Sequence, residues 1–297
     1  MAFIMDKTIL ILNPSASRGT AIFQKDKIES ALRENKIKSD LYITKSSEDL
    51  GRATENFVKE GYVNFIAAGG DGTVHYMIQK LANTDRNIGI IPIGSGNDMI
   101  KTFNIKPDID ESIKIIKNNN IKRIDLGLFN KKIYYIGVAG SGFDSEVARF
   151  ANETRLPIKG EARYNFSVYK TLITFRPKIF EIMHDDISEN LNTMMILVSN
   201  LKYYGGGMKV TPHADPFDAK LDVCIITAIP LIKFIKSFPS VYAGTHLDIP
   251  CVKYFKTEKV EVDCEKKFNV YGDGEYMGKL PAKFEVSPKS LNIFLPR

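Results

Sequence analysis

Cysteine is scarce in this sequence. The three cysteines, Cys224, Cys251 and Cys264, are an odd number and form no CxxC pair. This pattern indicates neither a disulfide framework nor a zinc site, and it favours a reducing cytoplasm. Tryptophan is absent, and 21 glycines and 13 prolines in 297 residues exclude a collagen-like or low-complexity chain. This composition is that of a globular protein, and the length of 297 residues predicts two domains.

Long apolar runs are also missing. The sequence has no stretch of about 18 uncharged apolar residues, the length that a membrane-spanning helix needs, and the apolar run that begins at Val223 ends at Lys233. In the opening MAFIMDKTILIL, Asp6 and Lys7 interrupt the apolar residues, and no cationic segment precedes them. The opening is therefore predicted to be a buried strand rather than a leader peptide. Any membrane contact is expected to be peripheral.

Positive charge is in moderate excess. Lys and Arg number 41 against 35 Asp and Glu, which gives a formal charge of +6 and suits anionic partners such as nucleotides, lipid surfaces or nucleic acid. One basic region contains Arg149, Arg155, Lys159, Arg163, Lys170, Arg176 and Lys178. Because aromatic residues are sparse there, nucleic acid is not an expected partner. RNA binding is kept as an alternative that predicts a steep salt dependence.

The first 125 residues alternate short apolar runs with helical periodicity, which predicts parallel strands joined by crossover helices. The predicted strands are Lys7–Leu12, Lys38–Ile43, Phe65–Ala68 and Asn87–Ile91. The predicted helices are Gln24–Glu34, Ser47–Glu60 and Thr73–Leu81, with Ser46 and Ser47 as candidate caps of the second. This part is expected to be a doubly wound, Rossmann-like α/β domain.

After Asp125 the sequence changes to short β-rich runs separated by turn residues, which predicts an antiparallel sandwich or barrel. The predicted strands are Ile133–Val138, Ile179–Met183, Thr193–Ser199, Leu221–Ala228, Lys259–Asp263, Lys267–Tyr271 and Lys283–Val286, with helices at Glu161–Phe175 and Ile229–Val241. The last run, Ser290–Leu295, is expected to return to the first domain. The predicted domains are residues 1–125 with a returning strand at 288–297, and residues 126–287.

Polar loops rich in glycine or serine follow three of the predicted parallel strands. The strand at Phe65 leads into GGDGT at Gly69–Thr73 and then into a helix. Two glycines let the backbone approach a polyphosphate, the helix directs free N–H groups at the anion, and Asp71 is placed to reach magnesium. The same spacing also fits a tight turn in which Asp71 only caps a helix.

The other two loops are NPSASRG at Asn13–Gly19 and GSGND at Gly94–Asp98. Loops that follow successive parallel strands meet at one edge of the sheet, where ligands bind in this architecture. Three such loops therefore favour a nucleotide site over three unrelated turns.

The ordered set of NPSAS, GGDGT and PIGSGND closely resembles the diacylglycerol kinase catalytic domain of bacterial soluble lipid kinases and their sphingosine and ceramide kinase relatives. The resemblance covers nearly the whole chain, through GSGFDSEV from Gly140, SNLKYYGGGM from Ser199, PHADPFDAKLDV from Pro212 and YGDGE from Tyr271. It implies an α/β domain that binds ATP, an antiparallel β-sandwich domain for the lipid, and an active site in the cleft between them.

The resemblance also implies which positions bind ATP. These are Asn13, Pro14, Ser15, Ala16, Ser17, Thr44, Gly69, Gly70, Asp71, Gly72, Thr73, Val74, His75, Ser95, Asn97 and Asp98. Two departures from the family pattern occur in this set. The first loop ordinarily reads NPxSG, so Ala16 and Ser17 occupy its last two places and a glycine is lost. Ser95 replaces a threonine and keeps the hydroxyl.

A kinase that phosphorylates an alcohol needs a nucleotide cradle, magnesium and a carboxylate beside the attacking hydroxyl. The GDGE segment places Asp273 and Glu275 on a predicted exposed turn, although the DG dipeptide alone also fits an ordinary hairpin. The resemblance implies that Glu275 is the proton acceptor, that Asp273 is a magnesium or orientation partner, and that Asp71 completes the catalytic set. Asp125, at the domain boundary, either helps to hold magnesium or is a solvated residue.

A second, structural Mg²⁺ is implied by the resemblance at Asp218, joined by the backbone carbonyls of Asp215 and Lys220. The family's usual DG is here Asp218-Ala219, and a plain surface turn is the alternative. No metal is assigned to the four histidines, which form no metal-binding motif: His75, His184, His213 and His246.

A lipid acceptor requires an apolar cleft. The segment Ile229–Val241 places Ile232, Ile235 and Phe238 near helical spacing, with two lysines beside them. It either rests on an anionic membrane surface or packs its apolar stripe on its own sheet.

Together these features predict an ATP- and Mg²⁺-dependent lipid kinase that phosphorylates a free hydroxyl, with diacylglycerol as the first candidate, at the cytoplasmic face of the membrane. A homodimer is expected on family grounds alone. One alternative is an NAD kinase, which uses the same GGDGT cradle on a soluble nucleotide. The other is a nucleotide-binding regulatory protein without turnover.

Overall fold

The computed structural model describes residues 7–153 and 160–297, and for residues 152, 153, 160–165 and 231 it describes the backbone alone. The part of the opening segment that precedes Lys7 and the basic residues Arg155 and Lys159 therefore lie outside the described residues. The helices are α1 Ala16–Gly19, α2 Lys25–Glu34, α3 Ser47–Lys59, α4 Asp71–Leu81, α5 Asp98–Thr102, α6 Ile109–Lys117, α7 Phe143–Glu153, α8 Gly160–Thr174 and α9 Leu231–Ala243, with 3₁₀ turns at Ala21–Gln24 and His246–Asp248. The strands are β1 Thr8–Leu12, β2 Asp40–Ile43, β3 Asn64–Gly69, β4 Asn87–Pro92, β5 Ile121–Phe129, β6 Ile133–Tyr135, β7 Val138–Gly142, β8 Lys178–His184, β9 Ile187–Ser199, β10 Leu221–Thr227, β11 Val252–Thr257, β12 Lys259–Cys264, β13 Asn269–Gly272, β14 Glu275–Lys279 and β15 Ala282–Phe294.

The first part of the chain is a parallel sheet in the order β4-β3-β1-β2, covered by helices. Strands covered on both faces are apolar throughout, and residues 9–12 and 65–68 are each at most 1% exposed. Helix α3 begins where predicted, because the Ser46 hydroxyl accepts a hydrogen bond from the backbone N–H of Asp49 at 3.1 Å. The predicted doubly wound α/β architecture is confirmed.

The second part is antiparallel. Strands β7, β9, β8 and β12 are successive neighbours, β10 pairs with β9 and β11, and β13 pairs with β7 and β14. Their inward residues form a second apolar core, which includes Phe180, Val198, Val223, Phe268 and Phe284. The expected antiparallel β-sandwich is thereby confirmed.

One long strand joins the two parts. Strand β15 pairs antiparallel with β12 and β5 and then parallel with β4 through Asn292 and Ile293. The chain therefore returns to the first sheet in the run Ser290–Leu295, as predicted. Strand β5 has no counterpart among the predicted strands and passes through Asp125, so the two parts share a continuous sheet at this point. The domain bounds themselves stay a prediction.

Helix α7 is also absent from the sequence prediction. It begins directly after Gly142, which has a φ of +109°, and the Ser145 hydroxyl is hydrogen bonded to the backbone of Gly142. Its only sequence signal is the helical spacing of Phe143, Val147 and Phe150. This helix lies over the second core and contributes to the cavity described below.

Candidate active site

The GGDGT segment forms the turn from β3 into α4. A Cβ on Gly69 would lie 2.1 Å from the Thr73 hydroxyl oxygen, and a Cβ on Gly94 would lie 2.4 Å from the Cα of Gly70. A side chain at position 94 would therefore collide with the backbone of Gly70, and one at position 69 would collide with the Thr73 side chain. The loops after β3 and β4 contact each other through their backbones, as the sequence predicts for loops at one edge of a sheet.

The loop after β1 joins the same edge. The side-chain amide of Asn13 donates to the Thr73 hydroxyl at 3.0 Å, and the backbone N–H of Thr44 donates to the carbonyl of Leu12 at 3.0 Å. The structure thus brings together the ends of all four parallel strands, where the predicted nucleotide-binding positions lie. Seven of those positions are buried, namely Thr44, Gly69, Thr73, Val74, His75, Asn97 and Asp98. Any contact of Val74 with a nucleotide must therefore be made by its backbone.

The backbone of the first loop follows an unusual course. Ser17, Arg18 and Gly19 have φ angles of 50°, 59° and 87°, so three successive residues are left-handed. Ser17 occupies the position at which the family pattern has glycine. The loop has therefore kept the conformation that favours glycine while losing the residue itself.

Asp71 links the loops after β3 and β4. Its carboxylate accepts hydrogen bonds from the backbone N–H groups of Asp98 at 3.0 Å and Met99 at 3.4 Å. It caps the start of α5, whereas Gly70 holds the cap position of its own helix. Burial raises the pKa of Asp71 to about 6, and the neighbouring Asp98 and Asp273 carboxylates add to this effect.

Asn97 and Asp98 hold the loop after β4 in place. Asn97 is left-handed, with a φ of 49°, and its amide donates to the Gly94 carbonyl at 2.8 Å. The Asp98 carboxylate accepts from the Lys101 ammonium at 2.6 Å and from the backbone N–H of Gly206 at 2.7 Å. Asp98 therefore connects the nucleotide side to the second part of the chain. Ser95 is exposed in the same loop, available to a ligand.

Asp273 is a structural anchor in the turn between β13 and β14. Its carboxylate accepts hydrogen bonds from the backbone N–H groups of Ile136 at 2.9 Å and Gly137 at 2.8 Å, and it lies 3.0 Å from Nδ1 of His75. The side chain is 2% exposed. Of the two roles expected for Asp273, this geometry matches the orientation partner.

Glu275 reaches from the second part of the chain onto the GGDGT segment, which is called the phosphate loop from here on. One carboxylate oxygen accepts a hydrogen bond from the Tyr76 hydroxyl at 2.9 Å, and the other lies 2.7 Å from where a Cβ on Gly72 would stand. The carboxylate therefore rests on the first turn of α4. Burial and Glu275 raise the pKa of Tyr76. Sequence reasoning missed Tyr76, which no motif marks.

An apolar cavity of about 90 Å³ lies in the second part, beneath helices α7, α8 and α9. Tyr204 and Met208 line part of this cavity. They lie on either side of Gly206, whose backbone N–H donates to the Asp98 carboxylate. Asp144 also borders it, and burial raises the pKa of Asp144 to about 7. Among the described residues, one Asp144 oxygen has no hydrogen-bond partner. Other lining residues are Phe143, Val147, Met195, Leu197, Phe234 and Phe238.

Helix α9 has two apolar faces. Phe234 and Phe238 face the cavity, whereas Ile232 and Ile235 are 69% and 48% exposed. The predicted helix at Ile229–Val241 is confirmed, and its inner face packs on its own sheet. None of the described helices is both long enough and apolar enough to span a bilayer.

The segment implied to bind a structural metal is occupied by internal contacts. Asp218 lies 2.6 Å from the ammonium of Lys256, and Asp215 accepts from the backbone N–H of Phe217 at 3.1 Å. Asp125 is buried and accepts from the N–H groups of Ala219 and Lys289 at 2.7 Å each, so it is not a solvated residue. Within residues 7–153 and 160–297, no group of three or more His, Cys, Asp or Glu residues is arranged to hold a metal.

Comparison with known proteins agrees with this geometry. Residues 7–129 match the diacylglycerol kinase catalytic domain, and residues 137–295 match the YegS C-terminal NAD kinase beta sandwich-like domain. The chain belongs to the diacylglycerol kinase catalytic domain family. The resemblance deduced from the sequence is thus confirmed. Membership of a kinase family supports phosphoryl transfer and implies ATP as the donor.

Curated relatives extend over the whole chain. A protein of Mycobacterium tuberculosis (strain CDC 1551 / Oshkosh) named diacylglycerol kinase is 29% identical over 98% of this chain and 96% of its own length. A protein of Bacillus subtilis (strain 168) with the same name is 26% identical over 99% and 97%. A crystal structure of a diacylglycerol kinase from Bacillus anthracis str. Sterne has a TM-score of 0.76, with 20% identity over 98% of this chain and 97% of its own. That likeness shows the shared fold.

Proposed function

We propose that this protein is an ATP- and Mg²⁺-dependent lipid kinase that phosphorylates a free hydroxyl, with diacylglycerol as the acceptor. Family membership and relatives named diacylglycerol kinase support the lipid kinase class. One observation carries the proposal: the Glu275 carboxylate rests on Gly72, in the first turn of the helix that follows the phosphate loop. A proton acceptor is thereby placed beside the loop that positions the phosphates.

The phosphate side of the site is built from backbone. The first N–H groups of a helix have no acceptor within the helix, so they are available to an anion. In α4 they follow the pair Gly69 and Gly70. Ser95, exposed on the adjoining loop, adds a hydroxyl donor. The site therefore suits the phosphates of ATP.

The carboxylates around this loop fit a nucleotide-bound Mg²⁺. Burial raises the pKa of Asp71, and the nearby carboxylates of Asp98 and Asp273 add to this effect. A cation beside Asp71 would offset the charge of these three carboxylates. Asp71 is the residue that would hold the ion. When bound with ATP, Mg²⁺ supplies charge neutralisation on the transferring phosphoryl group.

Glu275 is the proposed general base. The acceptor hydroxyl oxygen forms a bond to the γ-phosphorus of ATP while the bond from that phosphorus to the leaving ADP oxygen breaks, and Glu275 takes the hydroxyl proton. Tyr76 donates to the other oxygen of the same carboxylate and fixes its orientation. We assign Tyr76 as a positioning residue.

The apolar part of the acceptor is proposed to enter the cavity beneath α9. The loop with Tyr204, Gly206 and Met208 borders the cavity and also contacts Asp98 of the nucleotide side. An acyl chain in this cavity therefore lies next to the phosphate loops. The apolar lining favours a lipid over NAD as acceptor.

Helix α9 is the proposed site of peripheral contact with an anionic membrane. Its outer face exposes Ile232 and Ile235, and Lys233 and Lys236 lie beside them, both exposed. In the part of the chain that the structure describes, neither lysine forms an ion pair. Apolar residues flanked by cations suit the boundary between acyl chains and anionic headgroups.

The first experiment is ADP release from Mg-ATP by the purified protein, with a panel of hydroxyl lipids in mixed micelles and NAD in parallel. The panel contains diacylglycerol, phosphatidylglycerol, ceramide, a long-chain base and a polyprenol. Activity with diacylglycerol is expected. Activity with another lipid alone keeps the lipid kinase and changes the acceptor. Activity with NAD alone, or ATP binding without turnover on any acceptor, overturns the proposal.

A sedimentation assay tests the membrane contact. Vesicles that contain phosphatidylglycerol are expected to bind the wild-type protein, and vesicles of phosphatidylcholine alone are not. The paired change Ile232→Asp and Ile235→Asp is expected to abolish binding. Ile187→Asp is the matched control, because Ile187 is 50% exposed in the β8–β9 hairpin. Equal loss in both variants, or no loss in either, contradicts the assignment to α9.

A further inference from the structure

The acidic segment between Asp215 and Asp222 is contacted by a lysine of the neighbouring strand β11. Strands β10 and β11 pair so that Asp222 stands opposite Lys256. The ammonium of Lys256 lies 2.6 Å from one oxygen of Asp218 and 3.7 Å from one oxygen of Asp222. A single lysine therefore faces both carboxylates.

Because the Asp222 carboxylate is buried, it needs a cation as a partner. The Asp222 side chain is 0% exposed. One of its oxygens accepts from the Tyr254 hydroxyl, and the other has no hydrogen bond among the described residues. Within residues 7–153 and 160–297, Lys256 is the cation that faces that second oxygen, at 3.7 Å. A buried carboxylate without a cation partner is strongly destabilising.

Two further oxygens of the segment already accept hydrogen bonds. The second oxygen of Asp218 accepts from the backbone N–H of Lys220 at 3.0 Å, and the carbonyl of Asp215 accepts from the N–H of Asp218 at 3.3 Å. A divalent cation needs several free oxygens, about six for Mg²⁺ with waters included. In the donor set implied by the resemblance, the Asp215 carbonyl and one Asp218 oxygen accept backbone N–H groups, and the Lys256 ammonium already neutralises the other Asp218 oxygen from 2.6 Å. This arrangement does not fit a metal.

The turn itself has also changed. Ala219 occupies the place of the family's usual glycine, yet its φ is 58°, in the left-handed region. Its N–H donates to Asp125 at 2.7 Å. The loop thus keeps the backbone course of the family pattern while its charge is neutralised by other means.

We propose that the ammonium of Lys256 neutralises the 215–222 segment in place of the structural divalent cation that the family resemblance implies. The contacts of Lys256 with Asp218 at 2.6 Å and with Asp222 at 3.7 Å place the positive charge between the two carboxylates. The segment then folds without metal. This inference is independent of the proposed function, because it concerns stability and uses none of the residues assigned to catalysis.

Thermal unfolding without nucleotide tests the inference. The melting temperature of the wild-type protein is expected to be the same in EDTA, Mg²⁺ and Ca²⁺. Lys256→Met removes the charge and keeps the aliphatic stem, and it is expected to lower the melting temperature in EDTA by roughly 5 °C or more. Added Mg²⁺ or Ca²⁺ is expected to recover part of that loss, because the freed carboxylates regain a cation. Lys253→Met, on the same strand and paired with Glu189 at a more exposed site, is the matched control.

Two results overturn the inference. One is a wild-type melting temperature that falls in EDTA and is restored by a divalent cation. The other is a Lys256→Met protein that is no less stable than the Lys253→Met control. Should Lys256→Met fail to fold, the metal content of the dialysed wild-type protein decides the question. A stoichiometric divalent ion refutes the inference, and a metal-free folded protein supports it.

Discussion

Asp273 and His75 lie 198 residues apart in the sequence, and a carboxylate oxygen of Asp273 is 3.0 Å from Nδ1 of His75. His75 belongs to the helix that follows the phosphate loop, whereas Asp273 begins the turn that leads to Glu275. This contact ties the proposed general base to the nucleotide side. The geometry of the site therefore depends on a buried polar link between the two parts of the chain.

Asp273→Ala is expected to destabilise the protein. The N–H groups of Ile136 and Gly137 lose their acceptor in a buried place, and each unsatisfied donor costs about 1–3 kcal/mol. Chemical denaturation should show a clearly lower midpoint than for Asp263→Ala, a change at a half-exposed carboxylate paired with Lys267. An unchanged midpoint combined with lost turnover would instead identify Asp273 as a metal ligand.

Glu275→Gln is expected to lower turnover by about 10²-fold or more, because the amide cannot accept the hydroxyl proton. The melting temperature should stay close to wild type, since glutamine still accepts from Tyr76. ADP release in mixed micelles is the measurement, with Glu258→Gln as an exposed control. Near-normal turnover would remove Glu275 from its assigned role.

Ser17→Gly is expected to stabilise the protein. Ser17 has a φ of 50°, a conformation that costs a non-glycine residue about 1 kcal/mol, and glycine's freedom in the unfolded chain offsets part of the gain. A rise of about 1–2 °C in melting temperature is expected. Ser15→Gly is the control, because Ser15 has a φ of −79° and gains nothing from glycine. A lower melting temperature for Ser17→Gly would show that the serine side chain stabilises the loop.

Asp144→Asn is expected to change how stability depends on pH. Burial raises the pKa of Asp144 from 3.8 to about 7, so the folded state binds this proton more tightly than the unfolded state. The resulting stabilisation of the folded state is complete below pH 3.8, the pKa of Asp144 in the unfolded chain. It is lost as the pH rises through about 7, the pKa of Asp144 in the folded protein. Asparagine is neutral throughout. The melting temperature of the variant relative to wild type should therefore increase from acidic to mildly alkaline pH.

Melting curves measured at several pH values across this range check the prediction. Asp186→Asn, in the exposed turn of the β8–β9 hairpin, is the control. A difference between Asp144→Asn and wild type that does not vary with pH would show that the carboxylate is already charged or already neutral over the whole range.

Local patterns in the sequence determined the fold class and the edge at which the site lies. Apolar runs alternating with helical periodicity predict β1 to β4 and their crossovers, since a parallel sheet buried on both faces needs strands that are apolar throughout. Glycine in GGDGT and GSGND marks the contact between Gly70 and Gly94, where any Cβ would collide. The loops after parallel strands must share an edge, so their convergence follows from topology.

The partners of the acidic side chains were decided by the tertiary structure alone. Nothing near Asp273 in the sequence shows that it accepts from Ile136 and Gly137, nor that Asp71 caps α5 instead of its own helix. Tyr76 carries no motif, and Lys256 lies on a strand that the sequence pattern does not reveal. The same type of acidic residue can accept a hydrogen bond from a backbone N–H, bind an ammonium or hold a metal. Which of these occurs depends on groups brought close by packing between distant segments, and local sequence carries no record of them.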